Sequence, residues 1–299
     1  MELERVPAKT IVSQYDPGSR WFGINYNMNI YRGCCHGCIY CDSRSACYRV
    51  EQFDRVRIKD NALRIIRDDL RRKAKPGVVG TGAMSDPYNP LEEELLLTRH
   101  GLELVGAYGF GAAITTKSPL VTRDKDILLE IKEQSPVLCL VTVTTPDDGL
   151  AAKIEPHAPP PSLRLQAVQE LSRAGIFTGV LMNPVLPFLT DSRENILAMV
   201  DRVQKTGARF LYASFGVTLR MNQRDYYYQR LEETFPGLAA RYQRIYGERY
   251  FCAAPRSGEL WALFARECDR AGLLYKMEDI ISASRAGYES QQLSFFPPQ

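Results

Sequence analysis

The chain has 299 residues, of which 45% are hydrophobic, and its formal net charge is +3 at neutral pH. This length suffices for one large α/β domain with its own core. No apolar run approaches the ~18 residues of a membrane span, and the opening "MELERVPAKT" has no signal-peptide core. The small charge alone does not indicate nucleic-acid binding. We therefore expect a cytoplasmic protein without a membrane partner, in which clustered cysteines bind metal rather than form disulfides.

Apolar and amphipathic segments alternate along the first two thirds of the chain. The apolar segments are predicted strands at residues 23–31, 77–83, 111–117, 137–145, 177–185 and 208–216. Helical spacing of apolar residues marks the segments between them, as with Leu63, Ile66 and Leu70. Strands that are apolar throughout and separated by helices indicate a parallel sheet covered by helices. The pattern predicts an α/β fold, a partial (β/α)6 barrel of the TIM type; the alternative, a doubly wound sheet, is hardly distinguished from it by sequence alone, but no reversal of strand order is evident.

The alternation stops near residue 217, and the composition changes there. Arginines and tyrosines are interleaved between residues 220 and 250. Such a mixture can stack on nucleic-acid bases, although packing against the barrel explains the tyrosines equally well. We therefore predict two parts, a partial barrel at residues 1–216 and a C-terminal cap and tail at residues 217–299.

Four cysteines stand within eight positions of the stretch "YRGCCHGCIYC", residues 31–41. Three of them, Cys34, Cys38 and Cys41, have C-x3-C-x2-C spacing, and Cys35 is additional. A structural zinc site needs four ligands, usually as two separated C-x2-C pairs, and no second pair is present. The alternative is a [4Fe–4S] cluster held by three thiolates, with one iron open to another ligand. The single motif after a first strand favours the cluster.

The other cysteines have plainer interpretations. Cys139 lies inside the fourth predicted strand and Cys268 in a helical segment of the tail, so both are predicted to pack in the core. Cys252 is left open between packing, donation of hydrogen to a radical, and binding of a second cluster.

Polar residues follow the predicted strands at the ends where α/β folds place their chemistry. They are Ser85 and Asp86 after the second strand, Lys117 after the third, Thr144 in the fourth and Asn183 in the fifth. Each has a simple structural explanation: Ser85-Asp86-Pro87 suits a turn, and a lysine at a strand end is usually solvated. Their shared position on one rim nevertheless predicts a site.

The cysteine motif resembles that of the radical S-adenosylmethionine (SAM) superfamily. Over roughly residues 25–216, the segments "SDPYNPLE", "ITTKSPLVTRDKDIL" and "NPVLPFLTD" resemble its spore photoproduct lyase-like branch. The resemblance implies a [4Fe–4S] cluster on Cys34, Cys38 and Cys41, with SAM bound at the open iron. Reductive cleavage of SAM then yields a 5′-deoxyadenosyl radical that takes hydrogen from a substrate.

The resemblance also implies roles for the polar rim. Tyr40 would line the adenine, and Ser85 and Asp86 would receive the amino group of SAM. Lys117 would pair with the carboxylate of SAM, and Thr144 and Asn183 would contact its ribose and methionine.

The expected function is that of a lyase-like radical SAM enzyme acting on nucleic acid, such as a DNA base lesion, with a flavodoxin or ferredoxin-type reductant. Alternatives are radical modification of RNA or a peptide, and a non-catalytic, metal-stabilised protein tethered to DNA through a clamp. Two departures from the branch argue against repair of thymine dimers by its known route. The loop after the second strand reads Gly82-Ala83-Met84-Ser85, without the expected thiol, and Asp42 stands where a tyrosine is expected.

The last residues contain the apolar stretch "QLSFF", Gln292 to Phe296. It resembles the motif that binds the bacterial sliding clamp, which implies a link to replicating or repaired DNA. The alternative is a tail that packs back on its own barrel.

Overall fold

The computed structural model describes residues 4–16 and 20–288. Its strands are β1 (Arg5–Val6), β2 (Val12–Gln14), β3 (Tyr26–Met28), β4 (Tyr31–Arg32), β5 (Arg57–Lys59), β6 (Val78–Thr81), β7 (Gly111–Thr116), β8 (Val137–Thr142), β9 (Phe177–Met182), β10 (Phe210–Ala213), β11 (Gly216–Thr218) and β12 (Phe251–Ala253). Its helices are α1 (Ala62–Arg71), α2 (Glu92–Leu95), α3 (Leu97–Ala107), α4 (Lys125–Lys132), α5 (Asp148–Ile154), α6 (Pro161–Arg173), α7 (Arg193–Lys205), α8 (Gln223–Thr234), α9 (Leu238–Tyr246), α10 (Ser257–Ala271) and α11 (Met277–Arg285). No helix within these ranges is long and apolar enough to cross a membrane.

The central sheet has the strand order β10-β9-β8-β7-β6-β3-β2. Neighbours from β3 to β10 are parallel, whereas β2 runs antiparallel along the outer edge of β3. The six predicted strands are therefore confirmed as parallel neighbours in an open, partial barrel. Strand β2 was not predicted, because three residues are too few to show a periodic pattern.

Each strand of the sheet alternates its side chains between two cores. Ala112, Ile114 and Cys139 pack with α1, α3 and α4 on the outer side. Ala113 and Leu140 point to the concave side, into a cluster with buried Phe22, Phe210 and Ile280 of α11. The base of the partial barrel is thus filled by apolar side chains, which leaves the other end for a site.

The predicted core positions of Cys139 and Cys268 are also confirmed, since their exposures are 1% and 0%.

The residues after β10 pack in two different places. Leu260, Leu263 and Phe264 of α10 share a core cluster with Val180 and Met199 of the barrel. In contrast, α8, α9 and the antiparallel pair β11–β12 share a cluster with Cys38, Ile39 and Tyr40 of the cysteine loop. This second group lies over the barrel end that carries the cysteines. The division of the chain at residue 216 stays a prediction.

Candidate active site

A cavity of about 600 Å³ opens at the carboxyl ends of the parallel strands. Its wall combines strand ends with loops, and the cysteine loop forms one side of it. The residues that line it include Cys34, Cys38, Tyr40, Cys41, Thr81, Ser85, Asp86, Thr116, Lys117, Thr142 and Asn183. All but one of the predicted site residues therefore meet in one place.

The three cysteines of the motif present their thiols to this cavity, whereas Cys35 does not line it. Burial raises the pKa of the Cys34 thiol to about 12, and it also raises the pKa values of Cys38 and Cys41. Because the thiolate is the metal-binding form, iron binding here must release protons. No three His, Cys, Asp or Glu side chains of the described ranges converge on a single metal ion. Thiolates that each bind a different iron of a cluster do not need such convergence.

The segment after α5 braces the cysteine loop through its backbone. The amide of Ile39 donates to the carbonyl of Ile154 (3.0 Å), and the amide of His157 donates to the carbonyl of His36 (3.1 Å). Gly37 has a φ of +66°, and a Cβ at this position would lie 2.9 Å from the His157 ring. Glycine suits both this conformation and the limited space at the position.

A buried ion pair lies behind Tyr40, and sequence reasoning missed it. Glu155 and Arg164 are fully buried, with 2.6 Å between Oε2 and Nη1, and the Tyr40 hydroxyl donates to Glu155. Burial alone would raise the pKa of Glu155, but the charges of Arg164 and Lys117 outweigh it and lower the pKa. Arg164 also donates from Nε to the Pro159 carbonyl at 2.6 Å. The one available signal was an arginine between Leu163 and Leu165 on a helix.

Ser85 and Asp86 join the loop after β6 to its neighbours. The Ser85 hydroxyl donates to the carbonyl of Gly33, just before the first cysteine of the motif. Asp86 accepts from Thr116 Oγ1 at 2.6 Å, from the Lys117 amide at 2.7 Å and from the Tyr88 amide at 2.9 Å. Both residues line the cavity and fix its wall, and their contact with the amino group of SAM stays a prediction.

Lys117 extends from the end of β7 toward the cysteine loop. Its Nζ lies 5.6 Å from the centre of the Tyr40 ring. Burial would lower the pKa of Lys117, but the nearby Cys38 and Glu155 outweigh this effect, and the net pKa is raised. A lysine that remains charged beside the cavity suits an anionic ligand.

Asn183 lines the cavity, but Thr144 does not. Thr144 is 1% exposed, and its carbonyl accepts from Asn195 Nδ2 at 3.2 Å. Thr142, at the end of β8, lines the cavity instead. The predicted contact between Thr144 and the cofactor therefore has no support from this placement.

The cap side of the cavity is built around Asp42, directly after the last cysteine of the motif. Asp42 accepts from Arg220 Nε at 2.9 Å, from the Tyr48 hydroxyl at 3.0 Å and from Thr218 Oγ1 at 3.2 Å. The Arg220 guanidinium lies 5.1 Å from the Tyr250 ring centre. Phe251 lines the cavity while 45% exposed.

Cys252 faces away from the cavity. It is 0% exposed and packs in the cluster that contains Tyr227, Tyr242 and Tyr246. Its thiol lies 3.8 Å from the Arg249 carbonyl. Of the interpretations left open, packing is the one that this position fits.

Comparison with known proteins identifies the class. The family model of the Radical SAM superfamily matches residues 28–200. An uncharacterized protein of Mycobacterium tuberculosis is 31% identical over 237 residues, covering 77% of this chain and 69% of its own. An uncharacterized protein of Methanocaldococcus jannaschii is 30% identical over 217 residues, covering 72% of this chain and 78% of its own. The chain belongs to the radical SAM superfamily.

Solved structures agree on the fold. A spore photoproduct lyase complexed with dinucleoside spore photoproduct aligns with a TM-score of 0.64 and 15% identity, over 91% of this chain and 80% of that one. Enzymes of this superfamily use a [4Fe–4S] cluster and SAM, and this chain is a radical SAM enzyme. The site fits both groups: three thiols and one lysine line a cavity of about 600 Å³, and Tyr40 forms an aromatic surface within it.

Proposed function

We propose that this radical SAM enzyme acts on a nucleic acid and that a base enters the cavity, with a DNA base lesion as the expected substrate. The observation that carries the proposal is the aromatic and cationic rim on the cap side of the cavity, formed by Tyr48, Arg220, Tyr250 and Phe251. Alanine substitution of such aromatic platforms in single-strand-binding proteins costs ~1–3 kcal/mol per base.

The rim is suited to a flat, anionic ligand. Phe251 and Tyr250 are 45% and 50% exposed, which is unusual for large aromatic side chains. Arg220 lies between the Tyr48 and Tyr250 rings, 5.7 and 5.1 Å from their centres. Because the guanidinium also pairs with Asp42, its positive charge would be shared between that carboxylate and an incoming phosphate, and the exposed rings supply the stacking surface.

The residues deeper in the cavity would serve the cofactors. When bound, the cluster and SAM supply the 5′-deoxyadenosyl radical. Cys34, Cys38 and Cys41 would hold the cluster, and Lys117 would bind the SAM carboxylate. Tyr40, braced by Glu155, would support the adenine. Asp86 and Ser85 would keep the two loops at a fixed distance, so that a base on the rim faces the radical.

The spore photoproduct lyase structure supports a nucleic-acid substrate for this chain, but it does not indicate which lesion is the substrate. The lyase structure contains a dinucleoside spore photoproduct, and its similar fold is compatible with the same substrate class here. In this chain Ala83 and Met84 line the cavity, and neither can donate hydrogen from a thiol. Repair of spore photoproduct itself is therefore not expected.

Two substitutions of Phe251 test the proposal. Phe251→Leu keeps an apolar side chain but removes the ring, so single-stranded oligonucleotides should bind roughly 5- to 150-fold more weakly. Phe251→Tyr should retain the parent affinity. Ile245→Ala, at a cap position with 41% exposure outside the cavity wall, is the control. Equal affinity of the Phe251→Leu protein and the parent would contradict a base-stacking rim.

The predicted sliding-clamp motif, Gln292 to Phe296, lies outside the described residues and stays a prediction. It adds a location on DNA to the proposal but no chemistry.

A further inference from the structure

A group of positive charges lies on the small sheet beside the cysteine loop. Arg32 in β4 stands directly opposite Arg57 in β5, and Lys59 lies two residues further along β5, on the same face. The Arg32 guanidinium donates to the backbone carbonyl of Arg49, a residue that is itself exposed. We call Arg32, Arg49, Arg57 and Lys59 the basic patch.

The patch has no matching acids of its own. The acids nearby in the sequence pair with other arginines: Asp54 with Arg44, Glu4 with Arg55 and Asp60 with Arg5. None of the four patch residues has an ion pair among the described residues, and Glu51 meets Arg57 only through its carbonyl. Like charges directly opposite in a sheet destabilise it, so this arrangement is costly unless a partner compensates it.

Two further observations show that the positive charge is uncompensated. Arg57 Nε is buried without a hydrogen-bond partner. Burial and the charge of Arg32 together lower the pKa of Lys59. An anionic partner at this surface would offset the positive charge of both residues.

The patch lies next to the first cysteine of the motif but outside the cavity. Arg32 is two residues before Cys34, and no patch residue lines the cavity. Gly33 lies between them, against the chain that leads into β5: a Cβ on it would be 2.4 Å from the Arg55 carbonyl. The patch is therefore part of the same loop system that would hold the cluster.

We propose that the basic patch docks an acidic one-electron donor protein, such as a flavodoxin in its hydroquinone state. The superfamily reaction consumes one electron before SAM is cleaved, and the cavity mouth must remain available to the substrate. A donor docked here would lose one electron and become the semiquinone, and that electron would reduce the cluster that Cys34, Cys38 and Cys41 would hold. No covalent bond forms or breaks in this step.

An acidic protein fits the patch better than nucleic acid does. Large exposed hydrophobic side chains of the described residues include Tyr250 and Phe251 on the rim, but none between residues 30 and 60. A base would therefore find no exposed aromatic ring among the patch residues themselves. Electron-transfer complexes are small and transient, and complementary charge accelerates their formation.

Stopped-flow reduction of the reconstituted protein by an acidic flavodoxin hydroquinone tests the assignment without any substrate. In a variant with Arg49→Glu and Lys59→Glu, the second-order rate at low salt should fall about tenfold or more. The parent rate should also decrease as salt is added, while the rate of the variant should change little. Reduction by dithionite should be the same in both, which shows an intact cluster.

A second double variant distinguishes the effect of charge at this surface from the effect of the protein's net charge. Arg173→Glu with Arg202→Glu makes the same charge change at exposed positions on α6 and α7, and it should keep the parent rate. Equal slowing in the two double variants, or a parent rate that does not depend on salt, would overturn the proposal. So would unchanged reduction by flavodoxin combined with weaker oligonucleotide binding in the patch variant, since the patch would then bind nucleic acid. Cofactor cleavage with dithionite stays measurable in every case, so failure here leaves the proposed substrate class untouched.

Discussion

The two sides of the cavity are built in different ways. On the cysteine side, polar groups are buried and paired: Asp86 accepts three hydrogen bonds of 2.6–2.9 Å, and Glu155 is fully buried against Arg164. On the cap side, Phe251 is 45% and Tyr250 50% exposed. Rigid, buried networks suit groups that must be held in one geometry. Exposed aromatic side chains suit a ligand that arrives from solvent.

This difference suggests separate roles for the two sides of the cavity. The cysteine side consists of loops after β4, β6 and β7, within the range that matches the superfamily. The cap side comes largely from β11–β12 and the loop before α8, beyond residue 200, and Asp42 and Tyr48 join it from the stretch after the cysteines. We infer that the first side serves the shared cofactors and that the second selects the substrate. Substitutions should therefore affect different measurements on the two sides.

The largest effect is expected from the cluster ligands. Cys34→Ala, Cys38→Ala and Cys41→Ala should each abolish cluster binding and SAM cleavage, because three thiolates are needed to hold the cluster. Cys35→Ala should retain iron, since Cys35 does not line the cavity. Iron content and visible absorbance after anaerobic reconstitution measure this. A Cys35→Ala protein without iron would show that the ligand assignment is wrong.

The next effect concerns the buried ion pair. Arg164→Met should lower the free energy of unfolding by about 3–5 kcal/mol, because it leaves the Glu155 carboxylate buried without its partner. Adding Glu155→Gln to this variant should restore part of the loss. Urea unfolding of the iron-free protein measures both.

An exposed pair provides the control for this prediction. Lys205 and Asp201 have side-chain exposures of 69% and 52%, so Lys205→Ala should change stability by only ~0.2–1 kcal/mol. If Arg164→Met were no more destabilising than Lys205→Ala, the braced cysteine side would not be the rigid element described above.

A smaller effect is expected at Lys117, and it should appear in binding alone. Loss of a charge-assisted bond to the SAM carboxylate costs ~1.5–3 kcal/mol, so Lys117→Ala should weaken SAM binding roughly ten- to a hundredfold. The cluster absorbance should not change. Lys153→Ala, at an exposed position of α5, is the matched control, and unaltered SAM affinity in Lys117→Ala would place Lys117 outside the cofactor site.

The smallest effect is expected at Cys252. Because its thiol faces tyrosines rather than the cavity, Cys252→Ala should leave the rate of SAM cleavage and the products unchanged. With dinucleoside spore photoproduct, both the parent and this variant should cleave SAM in excess of repair. Stoichiometric return of thymines by the parent, lost in Cys252→Ala, would refute this account of the cap.

The sequence predicted the parts of the fold that depend on long periodic patterns. Six apolar segments identified the parallel strands, and the rule that chemistry follows strand ends brought Ser85, Asp86, Lys117 and Asn183 to one cavity. Thr144 was placed wrongly because β8 ends at Thr142, two residues earlier. Beyond the end of a strand, side chains no longer alternate regularly between the two faces, so the sequence does not indicate which way Thr144 points.

Features that depend on contacts between distant elements could not be predicted in this way. The Glu155–Arg164 pair connects a loop to a helix behind Tyr40, and no periodicity signals it. The basic patch arises from the pairing of β4 with β5, strands of two and three residues that are too short to be recognised in a sequence.

The central claim is that a radical formed on the cysteine side reaches a base held by the cap side. Anaerobic incubation of the reduced protein with SAM and oligonucleotides deuterated in their bases and sugars tests it most directly. The account predicts deuterium in the 5′-deoxyadenosine that is formed, with less incorporation in Phe251→Leu than in Phe251→Tyr. Abundant 5′-deoxyadenosine without deuterium, across single-stranded, duplex and lesion-containing oligonucleotides, would contradict the claim that nucleic acid is the substrate.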